Sequence, residues 1–283
     1  MRQIETIEGI RGAVAAARAS GERIGFVPTM GFLHEGHLRL VDEAKRRTGC
    51  VVMSLFVNPT QFGPNEDFSR YPRDPSGDVE KARSRGVDLL FVPTVSEMYP
   101  APPSLHVGAD DLPTRWEGSV RPGHFDGVLT VVAKLFNIVA PDVAVFGRKD
   151  FQQAALIRRM VRELNFPIEL VVAPTVRESD GLALSSRNTY LDASARASAL
   201  ALVESLRAAA KAFAAGERGG EALTRVGAES LTTHPEESDD YFAVVDPADM
   251  RPVEQAKSDS VAIVAARVGR TRLIDNMILG EAE

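Results

Sequence analysis

Two histidines three residues apart mark the part of the chain best placed to do chemistry. The segment Pro28–His37 reads PTMGFLHEGH and directly follows the apolar run Ile24–Val27. A short β-prone run, then Pro and Gly, then His34 and His37 opening a helical pattern predict a strand, a tight turn and the start of a helix. Side chains at this spacing share one face of a helix.

The predicted turn suits the phosphates of a nucleotide. A helix N-terminus offers unpaired N–H groups and a partial positive charge, and Gly31 and Gly36 let a phosphate approach the backbone closely. A lone His-x-x-His pair is more often surface or helix-cap chemistry. Zinc is a weaker interpretation, because Cys50 is the single cysteine and no third ligand stands at a recognisable spacing. The strand-to-helix turn nevertheless favours ligand binding, since open α/β sheets bind ligands outside the carboxyl ends of their strands.

Loops after two other strands carry polar residues that a plain scaffold does not need. Asn58–Gly63 brings amides, which recognise hydroxyls and carboxylates without adding charge, although an ordinary Asn-Pro turn is the alternative. In the second loop, Gly147 permits a close turn, Lys149 can place an ammonium on phosphate oxygens, and Asp150 can cap a helix. The adjacent Gln152 and Gln153 cannot both face a cleft.

Two more loops are weaker candidates. Leu184–Asn188 combines hydroxyls with a guanidinium just after Asp180-Gly181, which suits a triphosphate and a closing lid; a solvated polar loop is the alternative. Arg121–Gly127 is a rigid loop with one Arg before a helix, in which His124 is equally well explained as a structural histidine.

Alternating strands and helices must position these loops. The apolar segments predicted as strands are 24–27, 51–57, 89–92, 143–146 and 168–172, and the segments with helical periodicity are 37–47, 76–85, 127–138 and 150–164. A βαβ series of this kind predicts a Rossmann-like, doubly wound parallel sheet. After about residue 175 the pattern changes to helices 192–214 and 220–231 and strands 241–245 and 261–266. We therefore expect an α/β protein with a domain at 1–175 and a smaller α+β C-terminal domain at 176–283 that forms a lid.

Composition narrows the class of protein. The 283 residues carry 33 basic and 39 acidic side chains, a net charge of -6, with no basic cluster, which argues against nucleic acid as a partner. No signal-like segment and no apolar run of membrane length are present, and the single cysteine fits a reducing cytoplasm. A cytoplasmic enzyme acting on small molecules is the expectation.

The loop residues as a set resemble a known family. Pro28–His37, Asn58–Gly63 and Tyr71-Pro72-Arg73, together with Arg121–Gly127, Leu135-Phe136-Asn137, Gly147–Gln153 and Ser185–Leu191, are similar in order to the pantothenate synthetase (pantoate–β-alanine ligase) family. That family belongs to the nucleotidylyltransferase and class I aminoacyl-tRNA synthetase superfamily. The resemblance implies that ATP and pantoate form pantoyl adenylate and pyrophosphate, and that β-alanine then attacks the acyl carbon to give pantothenate and AMP. It also implies a homodimer.

The resemblance further implies roles for individual residues. His34 and His37 contact the triphosphate, with His37 the proton donor, while Lys149 and Arg187 neutralise phosphate charge. Gln61 and Gln153 hold pantoate, and Gln61 also lies near β-alanine. Magnesium arrives with ATP and needs no full protein cage. The implied ATP contacts are Met30, Gly31, Phe32, Leu33, His34, Glu35, Gly36, His37, Gly147, Arg148, Lys149, Asp150, Val176, Leu184, Ser185, Ser186 and Arg187.

Three positions depart from the family pattern. Arg148 stands where Glu is usual and adds a positive charge beside ATP, and Leu184 replaces a common Met. The usual acidic pair after Tyr71-Pro72-Arg73 is reduced to Asp78 beside Gly77, so no magnesium or β-alanine role is carried over to it.

Two other functions share the histidine turn. A different nucleotidylyltransferase would transfer AMP to a phosphorylated substrate and would not need Gln61 and Gln153. A non-catalytic adenine-nucleotide sensor would bind ATP without pantoate-dependent release of pyrophosphate.

Overall fold

The computed structural model describes residues 1–64, 66–231 and 237–281, with the backbone alone described for 237–240. The chain separates into two compact units. The first comprises Met1–Arg148 and Leu156–Pro174, and the second comprises Lys149–Ala155 and Thr175–Glu283.

A parallel sheet forms the centre of the first unit. Its strands are β1 (Arg2–Ile4), β2 (Ile24–Thr29), β3 (Cys50–Leu55), β4 (Leu89–Phe91), β5 (Val143–Gly147) and β6 (Glu169–Ala173). They lie in the order β1-β4-β3-β2-β5-β6, and the pairs are parallel. The strand order reverses at β2, which pairs with β3 on one side and β5 on the other, so the ends of β2 and β5 flank the position where such sheets bind ligands.

Helices connect and cover these strands. They are α1 (Ile7–Ala19), α2 (Glu35–Lys45), α3 (Pro75–Arg85), α4 (Val95–Met98), α5 (Glu117–Val120), α6 (His124–Val139) and α7 (Phe151–Glu163), with short 3-10 helices at Pro59–Gln61 and Leu112–Thr114. Local chemistry sets their ends. Asp74 accepts a hydrogen bond from the Gly77 N–H at the start of α3, and Gly86, with φ of 83°, ends it in the left-handed conformation.

The core of the first unit is apolar on both sides of the sheet. Val27, Met53 and Leu90 from neighbouring strands pack with Leu40 and Val41 of α2. Strands buried on both faces are typical of parallel sheets, which is why their sequences read as continuous apolar runs.

The second unit is an antiparallel sheet covered by two helices. The helices are α8 (Ala193–Ala214) and α9 (Gly220–Leu231), and the strands are β7 (Glu237–Val245), β8 (Val261–Val268) and β9 (Thr271–Ile278), in the order β7-β8-β9. A 3-10 helix spans Ser186–Tyr190. Gly227 lets α9 approach the sheet closely, because a Cβ there would lie 2.1 Å from the Phe242 ring.

The structure confirms the predicted fold class, a parallel α/β sheet with a small α+β part. The predicted strands and helices agree with the structure within a few residues. The prediction lacked β1, α1, β9 and the short helices α4 and α5. Strand β9 was missed because Asp275 and Asn276 interrupt the apolar pattern by which a strand is recognised. Both residues are nevertheless buried. In the described part of the chain, no helix combines the length and apolar character needed to cross a membrane.

Candidate functional site

The turn after β2 is fixed by hydrogen bonds at its base. The Thr29 hydroxyl donates to the Ser54 carbonyl at 2.8 Å and accepts from the Gly31 N–H at 3.2 Å. The backbone then takes the left-handed conformation twice, at Gly31 with φ of 85° and at Phe32 with φ of 51°. Because a non-glycine residue adopts this conformation only when its surroundings impose it, other contacts must hold Phe32.

The carboxylate of Asp78 supplies those contacts. It is 3% exposed, and its two oxygens accept the backbone N–H groups of Phe32 at 2.8 Å and Leu33 at 2.6 Å. A Cβ at Gly31 would lie 2.9 Å from Asp78 Oδ2, so the carboxylate also requires glycine at that position. Sequence reasoning assigned Asp78 no role, and its contacts cross 45 residues of chain.

His34 and His37 sit at the start of α2, as the sequence predicts. His34 is the N-cap residue and His37 is the third helical residue, and their ring centroids are 4.0 Å apart. The His34 N–H donates to His37 Nδ1 at 3.3 Å. A backbone N–H is always a donor, so His37 Nδ1 accepts and the neutral ring carries its proton on Nε2. That tautomer presents an N–H donor at the opposite edge of the ring.

Glu35, between the two histidines, points its carboxylate at arginines. It pairs with Arg85 at 2.7 Å and with Arg39 at 3.2 Å. These pairs leave the backbone N–H of Glu35, in the first turn of α2, as the group suited to an anion.

Gln61 is held beside the turn. Its side-chain amide is buried, its Nε2 donates to Met30 Sδ at 3.1 Å, and its Oε1 accepts from Asn58 Nδ2 at 3.3 Å. Asn58 is 1% exposed and is fixed in turn by the Tyr99 hydroxyl and the Gly127 carbonyl. The predicted amide loop is therefore at the same sheet edge as the histidine turn, and Asn58 orients Gln61.

Arg121 and His124 support the Gln61 loop from its other side. Arg121 Nε donates to Glu66 Oε1 at 2.8 Å, and Arg121 Nη1 lies 3.0 Å from His124 Nε2. Since the guanidinium can only donate, Nε2 accepts, and His124 Nδ1–H donates to the Gln61 carbonyl at 2.8 Å. Burial alone would raise the pKa of Glu66, but the Arg121 hydrogen bond and charge outweigh it and hold that pKa below its ordinary value.

Gly147 and Arg148 lie where β5 ends, next to β2. Sequence reasoning expects Gly147 to permit a close turn. Gly147 is the last residue of β5, a turn at Arg148 and Lys149 follows it directly, and its φ is outside the left-handed range. A Cβ at this position would have no neighbour within 4 Å. The backbone conformation does not require glycine here, and the missing side chain leaves open space at the strand end. Arg148 continues the ladder by donating its N–H to the Ala173 carbonyl at 2.8 Å.

The second unit contains the remaining predicted residues. Lys149 Nζ lies 3.5 Å from Asp150 Oδ1, and the Lys149 side chain is 21% exposed. Of the adjacent glutamines that open α7, Gln152 is buried and Gln153 is half-buried.

Residues 176–184 form a narrow hairpin, and the 3-10 helix Ser186–Tyr190 follows it. The Leu184 N–H donates to the Val176 carbonyl at 2.9 Å, and the Glu178 N–H donates to the Leu182 carbonyl at 2.8 Å. The Ser185 hydroxyl caps the 3-10 helix by accepting from the Arg187 N–H at 3.3 Å, and Ser186 is buried. The predicted phosphate-binding loop is thus short and locally ordered at its base.

Two kinds of site, a metal centre made of protein ligands and a reactive cysteine, are not found among the described residues. Among the described residues, no group of three or more His, Cys, Asp or Glu is placed to hold a metal ion. Burial raises the pKa of Cys50 to about 11, with the charges of Asp88 and Glu22 adding to the effect, so its thiol is a poor nucleophile near neutral pH.

The fold defines the class of protein as a doubly wound α/β protein with a histidine-bearing turn at the reversal of strand order. A family model described as pantoate-beta-alanine ligase matches residues 2–278. The chain belongs to that family.

Individual relatives agree with the family match. The chain is 52% identical to the pantothenate synthetase of Moorella thermoacetica over 279 residues, which cover 99% of both proteins. The crystal structure of pantothenate synthetase from Thermus thermophilus matches with a TM-score of 0.94 and 48% identity, covering 99% of this chain and 100% of that one. A pantoate-beta-alanine ligase from Francisella tularensis, crystallised with beta-gamma ATP and beta-alanine, matches with a TM-score of 0.81 and 32% identity over 100% of this chain and 99% of that chain.

Proposed function

We propose that this chain condenses pantoate with β-alanine at the expense of ATP, giving pantothenate, AMP and pyrophosphate, as part of pantothenate and coenzyme A biosynthesis. The observation that carries the proposal is the family match over residues 2–278. The geometry agrees, because the histidine pair and the amide of Gln61 lie together at the end of β2.

The reaction divides into two displacements. A carboxylate oxygen of pantoate attacks the α-phosphorus of ATP, the bond to the β-phosphate breaks, and pyrophosphate leaves with the electron pair. The amine of β-alanine then attacks the acyl carbon of pantoyl adenylate, loses a proton, and expels AMP. Because the substrate carboxylate is itself the nucleophile, the protein needs no activated serine or cysteine. Its contribution is to position the reactants and to stabilise charge that builds on the phosphates.

Four residues are proposed to act on that charge. His37, with its proton on Nε2, donates to a phosphate oxygen, and His34 acts beside it at the start of α2. Lys149 and Arg187 neutralise the triphosphate as pyrophosphate leaves. The remaining ATP contacts are proposed for Met30–Leu33, Glu35, Gly36, Gly147, Arg148, Asp150, Val176 and Leu184–Ser186.

The acid and amine are proposed to bind at the amides. Gln61 and Gln153 hold the pantoate hydroxyls and carboxylate, and Gln61 also lies near β-alanine. The relative from Francisella tularensis was crystallised with beta-gamma ATP and beta-alanine, which supports the same two ligands here. Magnesium enters as the ATP complex, since a small hard cation of this kind is held largely by phosphates and water.

The proposal extends to assembly and location. The resemblance to the family implies a homodimer, which light scattering on the purified protein measures directly. A cytoplasmic location is proposed because the reaction consumes ATP. The second unit, which carries Ser185–Arg187, is proposed to act as a lid that orders when nucleotide binds.

One experiment tests the function. Protein, ATP, magnesium and pantoate are mixed with and without β-alanine, and products are identified by mass. Without β-alanine we expect pyrophosphate in an amount of about one per active site, with the adenylate retained; with β-alanine we expect pantothenate and AMP in equal amounts. A product in which AMP stays attached to a phosphorylated substrate indicates a different nucleotidylyltransferase. ATP binding without pantoate-dependent pyrophosphate indicates a nucleotide sensor.

A further inference from the structure

The middle of β9 carries two polar residues that a sheet strand does not need. Asp275 is 4% exposed and Asn276 is 3% exposed, between Leu273 and Met277, which pack in the apolar core of the second unit. Neighbouring residues of a strand point to opposite faces, so polar atoms are buried on both sides of β9 at this point. Burying such groups is costly unless they are hydrogen-bonded, and their partners identify what they do.

The partner of Asp275 is Arg177. The two side chains form a bidentate pair, with Arg177 Nη1 2.6 Å from Asp275 Oδ2 and Nη2 3.2 Å from Oδ1. The same guanidinium donates to the Gly181 carbonyl at 3.1 Å and to the Asn276 carbonyl at 3.2 Å. The planar, five-donor head of arginine is suited to such multiple contacts. Arg177, on the first strand of the 176–184 hairpin, therefore joins β9 to that strand and to the turn at Gly181.

The partner of Asn276 is the backbone of Lys149. Asn276 Nδ2 donates to the Lys149 carbonyl at 2.8 Å. This bond fixes the main chain from which the Lys149 ammonium extends, although it leaves the ammonium itself untouched. One dipeptide of β9 thus contacts the two segments of the second unit that are proposed to bind ATP.

The charges of Arg177 and Lys149 both act on the carboxyl group of Asp275. Burial raises the pKa of Asp275 above its ordinary value, while the Arg177 hydrogen bond and the charges of Arg177 and Lys149 oppose that rise. The bidentate contact makes Asp275 the buried partner of Arg177, whose side chain is 19% exposed. Removing one member of such a pair leaves the other without its partner charge.

We propose that Asp275 and Asn276 are positioning residues for the adenylation step, setting the backbone of Lys149 and of the 176–184 hairpin from within β9. The inference rests on the proposed function, because it assumes that these two segments hold ATP. It gives the C-terminal sheet a part in the reaction. Neither residue touches the reacting atoms; each acts through a neighbour.

The central test uses Asn276→Ala, which removes the donor to the Lys149 carbonyl. We expect pantoate-dependent pyrophosphate release to fall by about 10- to 100-fold, the scale on which small misplacement of a positioned group acts, and affinity for a non-hydrolysable ATP analogue to fall with it. Pantothenate formation from preformed pantoyl adenylate and β-alanine should change less than about 3-fold, because the triphosphate is already gone. A purely structural role would lower both half-reactions together.

Thr271→Val is the matched control. Thr271 is also buried and lies in the same strand, four residues and about 13 Å from Asp275, so its replacement perturbs the sheet without reaching the Lys149 carbonyl. Thermal unfolding of both variants shows whether they lose similar stability. Even where Thr271→Val loses as much stability as Asn276→Ala, we expect it to keep the wild-type rate of adenylation.

A second variant keeps the test decisive if Asn276→Ala does not fold. Arg177→Lys retains the positive charge for Asp275 but loses the fork that also reaches the Gly181 and Asn276 carbonyls. It should lower adenylation and analogue binding in the same selective way. Normal adenylation and analogue binding in a folded variant, or equal loss in both half-reactions, overturns the inference. If wild-type protein binds the analogue but releases no pantoate-dependent pyrophosphate, the proposed function is contradicted. The positioning role is then still decided by comparing the analogue affinities of wild type and variants.

Discussion

Asp78 and Leu33 are joined by a hydrogen bond of 2.6 Å from the Leu33 backbone N–H to the Asp78 carboxylate. With the bond from Phe32, it makes α3 the support of the turn that presents His34. The turn contains the left-handed residues Gly31 and Phe32, so its geometry depends on an external acceptor. The histidine motif is thus built from two distant parts of the chain.

Asp78→Asn should therefore damage both stability and adenylation. The amide offers one oxygen to one N–H and turns its NH2 group toward the other, which leaves a buried donor unsatisfied at a cost of about 1–3 kcal/mol. Urea unfolding measures the stability, and pyrophosphate release from ATP and pantoate measures the chemistry. Asp74→Ala is the control, because it removes the cap of the same helix at a cost of about 1 kcal/mol without touching the turn. If the control slows adenylation as much as Asp78→Asn does, the support role is wrong.

His37→Ala should lower pyrophosphate release by on the order of 10²-fold or more, the loss typical of removing one transition-state donor. The expectation follows from the His34 N–H on His37 Nδ1, which places the ring proton on Nε2. The variant should remain folded by circular dichroism. His106→Ala serves as a control because His106 is exposed and lies outside the turn. A folded His37→Ala protein with normal activity would remove the histidine from the mechanism.

Local sequence signals predicted the parts of the site that are contiguous in the chain. The strand, the turn and the helix start around His34 and His37 each leave a local pattern, and the neighbouring loop at Asn58–Gly63 follows from the rule that parallel strands end at one edge. Asp78 could not be found this way. Its contacts lie 45 and 46 residues away, and its sequence context reads as an ordinary first turn of a helix.

The same limit explains the C-terminal sheet. Asp275 and Asn276 break the apolar alternation by which strands are recognised, and their partners Arg177 and Lys149 lie 98 and 127 residues away in the chain. Only the folded structure shows that these two polar residues are buried and hydrogen-bonded to distant segments. A signal was still available, because two polar residues between the apolar pairs Leu273-Ile274 and Met277-Ile278 need partners if they are buried.

Acid should weaken the pair between Glu66 and Arg121. The pKa of Glu66 is lowered in the folded protein, so its contribution to stability is present above the unfolded value, about 4.3, and is lost as the pH falls through the lower folded value. At pH 7, Glu66→Gln should cost about 1.5–3 kcal/mol, the range for a hydrogen bond to a charged group. When urea unfolding is measured between about pH 7 and 3, the free energies of unfolding of wild type and variant should converge as the pH falls.

Glu163→Gln is the control for that comparison. Its carboxylate pairs with Arg159 and Arg162 on an exposed face, where the Glu163 side chain is 55% exposed, and such pairs contribute little. The difference in free energy of unfolding between wild type and Glu66→Gln should shrink at low pH. A difference that stays constant down to about pH 3 contradicts the assigned ionisation of Glu66.

Arg187→Ala should impair adenylation far more than the second step. Arg187 lies in a 3-10 helix whose first turn is capped by Ser185, and a guanidinium there is proposed to meet the triphosphate, which has gone when β-alanine attacks. Hydrogen exchange of 185–190 should slow when an ATP analogue binds to wild type and should slow less in the variant. Arg270→Ala, at an exposed position, should leave both half-reactions unchanged. If Arg187→Ala slows pantothenate formation from preformed pantoyl adenylate as much as it slows pyrophosphate release, Arg187 acts on the acyl centre or on folding rather than on the departing phosphates.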